Sequence, residues 1–168
     1  MKKFVILLFV IFYPSYSLSH MAHYNKYNKI EMEIFRNGEV IGYNYYFFKR
    51  DGNKSIITNQ IKFSVKLLGK TIFYVEGYGK EEYLKNQLIS YNSKTLQNNK
   101  EKYVSLTLDK NTNKFNIKGS SYNGEASLDN VIGNWWNHKV LQSNSQISPI
   151  SGSVKKQIVT FVGKKKIN

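Results

Sequence analysis

Three histidines, three mid-chain glutamates and a surplus of aromatic rings are the residues of this chain whose types could do chemistry. If a leader peptide ends at Ser19, His20 becomes the new amino terminus. Its amine and imidazole, with a second histidine, would then make a copper brace. His20 and His23 lie in a polar stretch without period, however, and His138 is remote in sequence. A metal ligand needs neighbours that hold it in place, so no metal site and no cofactor is expected. Among the acids, strand alternation sets Glu76 and Glu82 on one face and Glu81 on the other. Paired-carboxylate glycoside hydrolysis needs the two acids about 5–9 Å apart. Glu76 and Glu82 on one strand would stand ~20 Å apart, so all three acids are expected on a wet face beside lysines. No Gly-x-Ser-x-Gly elbow or Ser/His/Asp set is present, and Lys118-Gly119-Ser120 lacks the spacing of a phosphate loop. No catalytic residue is assigned, and the chain reads more as a binding protein than as an enzyme.

The aromatic residues carry more information. Tyr43, Tyr45, Phe47, Phe63, Phe73, Tyr74, Tyr83, Tyr91, Trp135 and Trp136 exceed what a core of this size must have. Interleaved with lysine, such rings can stack on bases or sugars or line an apolar cavity inside a curved sheet. Ordinary core packing with cross-strand aromatic pairs is the third reading. The candidate ligand-binding set is Tyr43, Tyr45, Phe63, Val65, Phe73, Trp135 and Trp136.

The elements that must position these residues centre on Asn53 to Ser93. Ile57, Asn59, Ile61, Phe63, Val65 and Leu67 alternate with Ile56, Thr58, Gln60, Lys62, Ser64 and Lys66, the period of a strand with one dry face. A return strand from Lys70 to Tyr83 follows the turn at Leu68-Gly69, and a third from Gln87 to Thr95 follows Lys85-Asn86. Upstream, Lys29 to Arg36 and Glu39 to Arg50 flank Asn37-Gly38, a type I′ hairpin signal, and Asp51-Gly52 repeats it. On the second strand Ile41, Tyr43, Tyr45 and Phe47 share one face; Val40, Gly42, Asn44, Tyr46 and Phe48 share the other. Downstream, Glu101 to Asp109 and Lys114 to Lys118 continue the pattern, with one short strand within Gly119 to Ser127. Asp129 to Leu141 has nearly helical spacing and predicts a short helix carrying Trp135-Trp136 as a lid, and Val154 to Val162 reads as a final strand. Strands of about 12 to 15 residues exceed the usual ~5–6. At ~3.3 Å per residue the longest would run roughly 45 Å if straight. The predicted fold is therefore all-β: a strongly curved antiparallel meander forming an open or partly closed barrel, with one short helix near the C-terminal third.

Residues 1–19 read as a signal peptide. Lys2 and Lys3 precede the apolar run Phe4 to Phe12, Pro14 breaks it, and Ser17 and Ser19 suit a cleavage site. The run of about 10 residues is short of the ~20 that cross a bilayer, so no transmembrane segment is expected in the mature chain. A flexible lead-in over 20–28 and one β-rich domain over 29–168 complete the division. There are no cysteines, which removes lipid attachment, disulfides and thiolate metal sites. The net charge of +14 is spread along the chain apart from Lys164-Lys165-Lys166. A dispersed charge serves solubility more than nucleic-acid binding, and no nucleic-acid partner is expected.

Several strings resemble a family of small exported bacterial β-proteins known only as a domain of unknown function. They are Asn37-Gly38-Glu39-Val40-Ile41-Gly42, Phe63-Ser64-Val65-Lys66-Leu67-Leu68-Gly69, Glu81-Glu82-Tyr83-Leu84-Lys85-Asn86-Gln87-Leu88, Ser93-Lys94-Thr95 and Trp136-Asn137. The ordered set spans about Lys29 to Leu141, and the family prefers tryptophan at the position of Tyr83 and glycine at that of Asn86. The resemblance implies an envelope protein whose strands wrap into a barrel-like sheet similar to lipoprotein-carrier folds, with no catalytic residues to carry over. Members continue with further strands beyond the position of Val162, which implies an exposed edge or a different tail in this chain.

The leading expectation is an exported, periplasmic or extracellular, non-catalytic protein that binds a lipid or another hydrophobic molecule in a curved sheet. The alternatives are an envelope scaffold binding acidic glycan or a protein partner, and a hydrolase without a recognisable motif.

Overall fold

The computed structural model describes residues 26–163. The expected leader, His20 and His23, most of the lead-in and the terminal lysine run lie outside them.

Eight antiparallel strands follow one another in chain order: β1 (Lys29–Arg36), β2 (Glu39–Asp51), β3 (Lys54–Leu67), β4 (Lys70–Leu84), β5 (Gln87–Gln97), β6 (Lys100–Asp109), β7 (Lys114–Gly119) and β8 (Tyr122–Ser127). The turns have the chemistry that tight hairpins demand. Asn37-Gly38, Leu68-Gly69, Lys85-Asn86 and Asn98-Asn99 hold both central residues at positive φ, the type I′ pattern that matches strand twist. The β2–β3 turn differs from expectation. Asp51 still pairs with Lys54, so the turn is Gly52-Asn53, and only Gly52 has positive φ, as in a type II′ turn.

The sheet has two unequal faces. Tyr46, Phe48, Ile57, Val75, Tyr83, Leu88, Tyr91, Val104, Leu106, Phe115, Ile117 and Ala126 are buried on its inner face. All of these but Val75 join one cluster, against which Ile30 and Met32 of β1 also pack. Eight flat strands ~4.8 Å apart would span over 30 Å, so sharing one core requires the sheet to curl around it. β1 and β8 end the strand order without pairing to each other, and the sheet stays open.

Residues 128–156 fold back over the inner face as a strap. It contains β9 (Val131–Ile132), β10 (Ser145–Ile147) and β11 (Val154–Lys156), with β9 parallel and β11 antiparallel to β10. The helix expected over Asp129 to Leu141 is absent apart from a single 3₁₀ turn, His138–Leu141. Asn130, Gly133, Asn134 and Asn137 interrupt that stretch, and asparagine and glycine favour turns over helix. The final strand expected to reach Val162 stops at Lys156, because its partner β10 is only three residues long. The strap lies so close to β7 that a Cβ on Gly119 would stand 2.5 Å from the Ser151 carbonyl oxygen. Ser121 N donates to that same oxygen at 3.0 Å. Among the described residues no helix is long and apolar enough to cross a membrane.

Candidate functional site

The strap meets the sheet through polar groups that the inner face buries. On β4, the alternation that turns Val75, Gly77, Gly79 and Tyr83 inward does the same to Glu81, which is 2 % exposed. The acid expected beside a lysine on a wet face therefore sits in the core. Its Oε1 accepts from Asn134 Nδ2 at 2.6 Å and Trp136 Nε1 at 2.8 Å, and its Oε2 from the Tyr83 hydroxyl at 2.5 Å. Burial pushes the Glu81 carboxyl up, and the three donors offset part of that rise. Burial also raises Tyr46 to about 12 and lifts the Tyr83 and Tyr91 hydroxyls. Two of the three donors to Glu81, on Asn134 and Trp136, come from the strap, so the arrangement clamps the strap to the sheet.

Beside this clamp, the inner face and the strap frame a partly open cavity of about 230 Å³. Ile34, Asn44, Tyr46, Asn59, Phe63 and Trp135 are among its walls, with Gly133, Pro149 and Ile150 across from the sheet. Tyr91 and Ser93 hold the strap at that point, their hydroxyls donating to the Pro149 carbonyl at 2.9 and 2.7 Å. The Trp135 backbone N–H donates to the Tyr46 hydroxyl at 3.2 Å, and Asn44 Nδ2 donates to it at 2.8 Å. Asn44 Oδ1 is the exception. The residue is 3 % exposed, yet this buried oxygen has no partner. Exchanging the amide oxygen and nitrogen would leave its other polar atom alone in the same way.

The candidate residues divide between the faces. Phe63, Val65 and Phe73 share the inner face, with the Phe63 and Phe73 rings 5.8 Å apart, and Phe63 and Trp135 reach the cavity. Trp135 is 61 % exposed while Trp136 is 2 % exposed, so the pair is half lid and half clamp. Tyr43 and Tyr45 stack on each other at 4.5 Å on the outer face. There Tyr43, Lys62, Glu76, Tyr78, Lys94 and Tyr103 line a groove of about 690 Å³. The other two acids lie on this face with lysines, Glu76 with Lys62 at 3.2 Å and Glu82 with Lys80 at 2.6 Å and Lys54 at 3.6 Å. Asn44, Tyr46, Asn134 and Pro149 were not read from the sequence. The sequence set Asn44 and Tyr46 on one face of the second strand, with no sign of which face turns inward. Among the described residues, no three or more His, Cys, Asp or Glu gather to hold a metal.

Over residues 32–168 the chain matches a family model described as a domain of unknown function (DUF6134). No curated protein and no solved structure matches it.

Proposed function

The chain belongs to this domain family of unknown function, and from that premise we propose that it is an exported, periplasmic, non-catalytic protein that binds a small amphipathic molecule between its curled sheet and its strap. The reading is carried by Asn44, which lines a largely apolar cavity and whose buried amide oxygen has no partner. Leaving such a group unsatisfied costs about 1–3 kcal/mol. A ligand with an apolar body and one hydrogen-bonding group would recover that cost once the Asn44 amide turns its oxygen toward the cavity. The volume, about 230 Å³, suits a single ring or a short chain and is smaller than the ~300–1,000 Å³ of drug-sized sites.

Benzyl alcohol and toluene share a ring and differ in a hydroxyl, so they test this directly. Benzyl alcohol is expected to raise the melting temperature at concentrations where toluene does so far less, with affinities about tenfold apart. Asn44→Leu should fold, since it removes the orphan group, and should erase the difference. A hydroxyl preference that survives this substitution, or none in the parent chain, overturns the reading.

Export rests on Lys2, Lys3, the Phe4 to Phe12 run and Ser17-Leu18-Ser19. Sequencing the amino terminus of the chain produced in a bacterial host is expected to find His20 first, and an intact Met1 would remove this part of the proposal. The outer groove favours a second reading, an envelope scaffold. Tyr43, Tyr78 and Tyr103 offer ring faces to a sugar, and Lys62 and Lys94 offer charge to its acid groups.

A further inference from the structure

At one end of the sheet the β1–β2 and β3–β4 hairpins present large apolar side chains to solvent. Phe35, Val40, Leu67, Leu68 and Ile72 are all exposed there, Leu68 at 96 %. The two hairpins flank a shared hollow of about 430 Å³ with a mixed lining, Val40, Val65 and Leu67 beside Arg36, Glu39 and Lys66. Exposed apolar side chains are common singly, whereas a contiguous group rimmed by charge marks an interaction surface.

Leu68 is the more telling residue. It takes φ +49° in the Leu68-Gly69 turn, and among the described residues the other non-glycine residues at positive φ are asparagines and one lysine. A branched apolar residue in that conformation is strained, and asparagine or glycine is the ordinary choice. The strain is not offset by packing, because the side chain touches almost nothing. Both hairpins are also bulged just before their tips, between Ile34 and Phe35 and between Val65 and Lys66. The second bulge leaves Ile72 between the paired Thr71 and Phe73. Bulges re-aim side chains at the margin of a sheet. The other hairpin turns, Gly52-Asn53, Lys85-Asn86, Asn98-Asn99, residues 110–113 and Ser120-Ser121, are polar.

Charge selects the occupant. Arg36, Lys66 and Lys70 surround the apolar group, with Glu39 as the acid among them, and among the described residues none of the three cations is in an ion pair. We propose that this end is a membrane-docking tip, in which the two hairpins insert their apolar side chains between lipids while Arg36, Lys66 and Lys70 meet anionic headgroups. Narrow protruding turns reach past headgroups to the acyl boundary, and basic residues at the surface add attraction that salt weakens. The proposal stands apart from the inner cavity, since none of its residues reaches that cavity.

The chain has no cysteine, so single labels report position. An environment-sensitive fluorophore is placed on Thr71→Cys at this end, or on Thr112→Cys in the β6–β7 turn at the opposite end. Vesicles of phosphatidylcholine, with or without phosphatidylglycerol, are added to the full chain. The Thr71 label is expected to shift to the blue and to be quenched from within the bilayer, only with phosphatidylglycerol present and less at high salt. The Thr112 label should not respond. Leu68→Asn in the Thr71→Cys chain should weaken the response about tenfold while the melting temperature holds or rises. Equal responses at both positions would place the attachment elsewhere, such as the Phe4 to Phe12 run, and overturn the proposal. So would no response at Thr71, a response that survives Leu68→Asn, or one that depends on protein concentration without vesicles, which would assign the tip to a second copy.

Discussion

Truncating Trp136 to alanine should lower the unfolding free energy by about 3–5 kcal/mol. The ring is buried and meets Phe48 and Tyr83 edge to face, at centroid distances of 5.5 and 6.1 Å. Its indole nitrogen also supplies one of the two donors to Glu81 Oε1. The substitution therefore opens a large cavity, breaks two ring contacts and removes a donor from a buried acid. Against the ~5–15 kcal/mol that a domain of this size holds, that loss leaves little stability. Trp136→Phe provides a folded companion, retaining the ring packing and losing the donor, for about 1–3 kcal/mol. Urea titration checks both, and a cost below ~1 kcal/mol for Trp136→Ala would mean that the strap is not clamped there.

Glu81→Gln should stabilise the chain at neutral pH and leave it unchanged in acid. Burial raises the native pKa above the ordinary value of 4.5, so the native state keeps the proton to higher pH than the unfolded chain does. The stability this acid contributes is fully present below that ordinary value and is lost as pH rises through the native one. Glutamine keeps the neutral form at every pH, and its amide can still accept from Asn134 and Trp136. The variant's advantage should therefore grow from about zero below pH ~4 by up to ~1.4 kcal/mol per pH unit, then level off. The hydroxyls around the carboxyl, on Tyr46, Tyr83 and Tyr91, are all raised and stay neutral in this window. Glu76, held below the ordinary range by the Tyr74 hydroxyl and then Lys62, and half-buried Glu82, held there by Lys80, lose stability in the opposite direction as pH falls. They do so equally in both chains and cancel in the difference. Stability curves of the two proteins at matched pH provide the test, and a difference independent of pH would place a charged carboxylate in the core.

The meander was legible because β3 alternates along its length and most turn positions that require positive φ carry asparagine or glycine, Leu68 and Lys85 excepted. Which face of β2 points inward was not. Tyr43, Tyr45 and Phe47 on one side look as apolar as Tyr46 and Phe48 on the other, and a period of two says only which residues travel together. The inward position of Glu81 could be read from its parity with Gly77, Gly79 and Tyr83, but its partners Asn134 and Trp136 could not. Those contacts span 53 and 55 residues, and no local pattern records them. The strap misled for a related reason. Val131, Ile132, Trp136 and Ile147 are apolar because the sheet needs filling, so their spacing follows the shape of the cavity instead of the turn of a helix.

The order of contacts in this fold bears on how long it lasts once formed. Each strand pairs with its neighbour in sequence, so the sheet can assemble hairpin by hairpin with short loops to close. The strap reaches back across 56 to 89 residues to Ser93, Tyr91 and Tyr46, so those contacts are expected to form last. Side chains that bind only after the barrier slow escape more than they speed arrival. The strap would then act as a latch: loosening it at Trp136 would shorten the lifetime of the native state while the rate of refolding stays nearly the same.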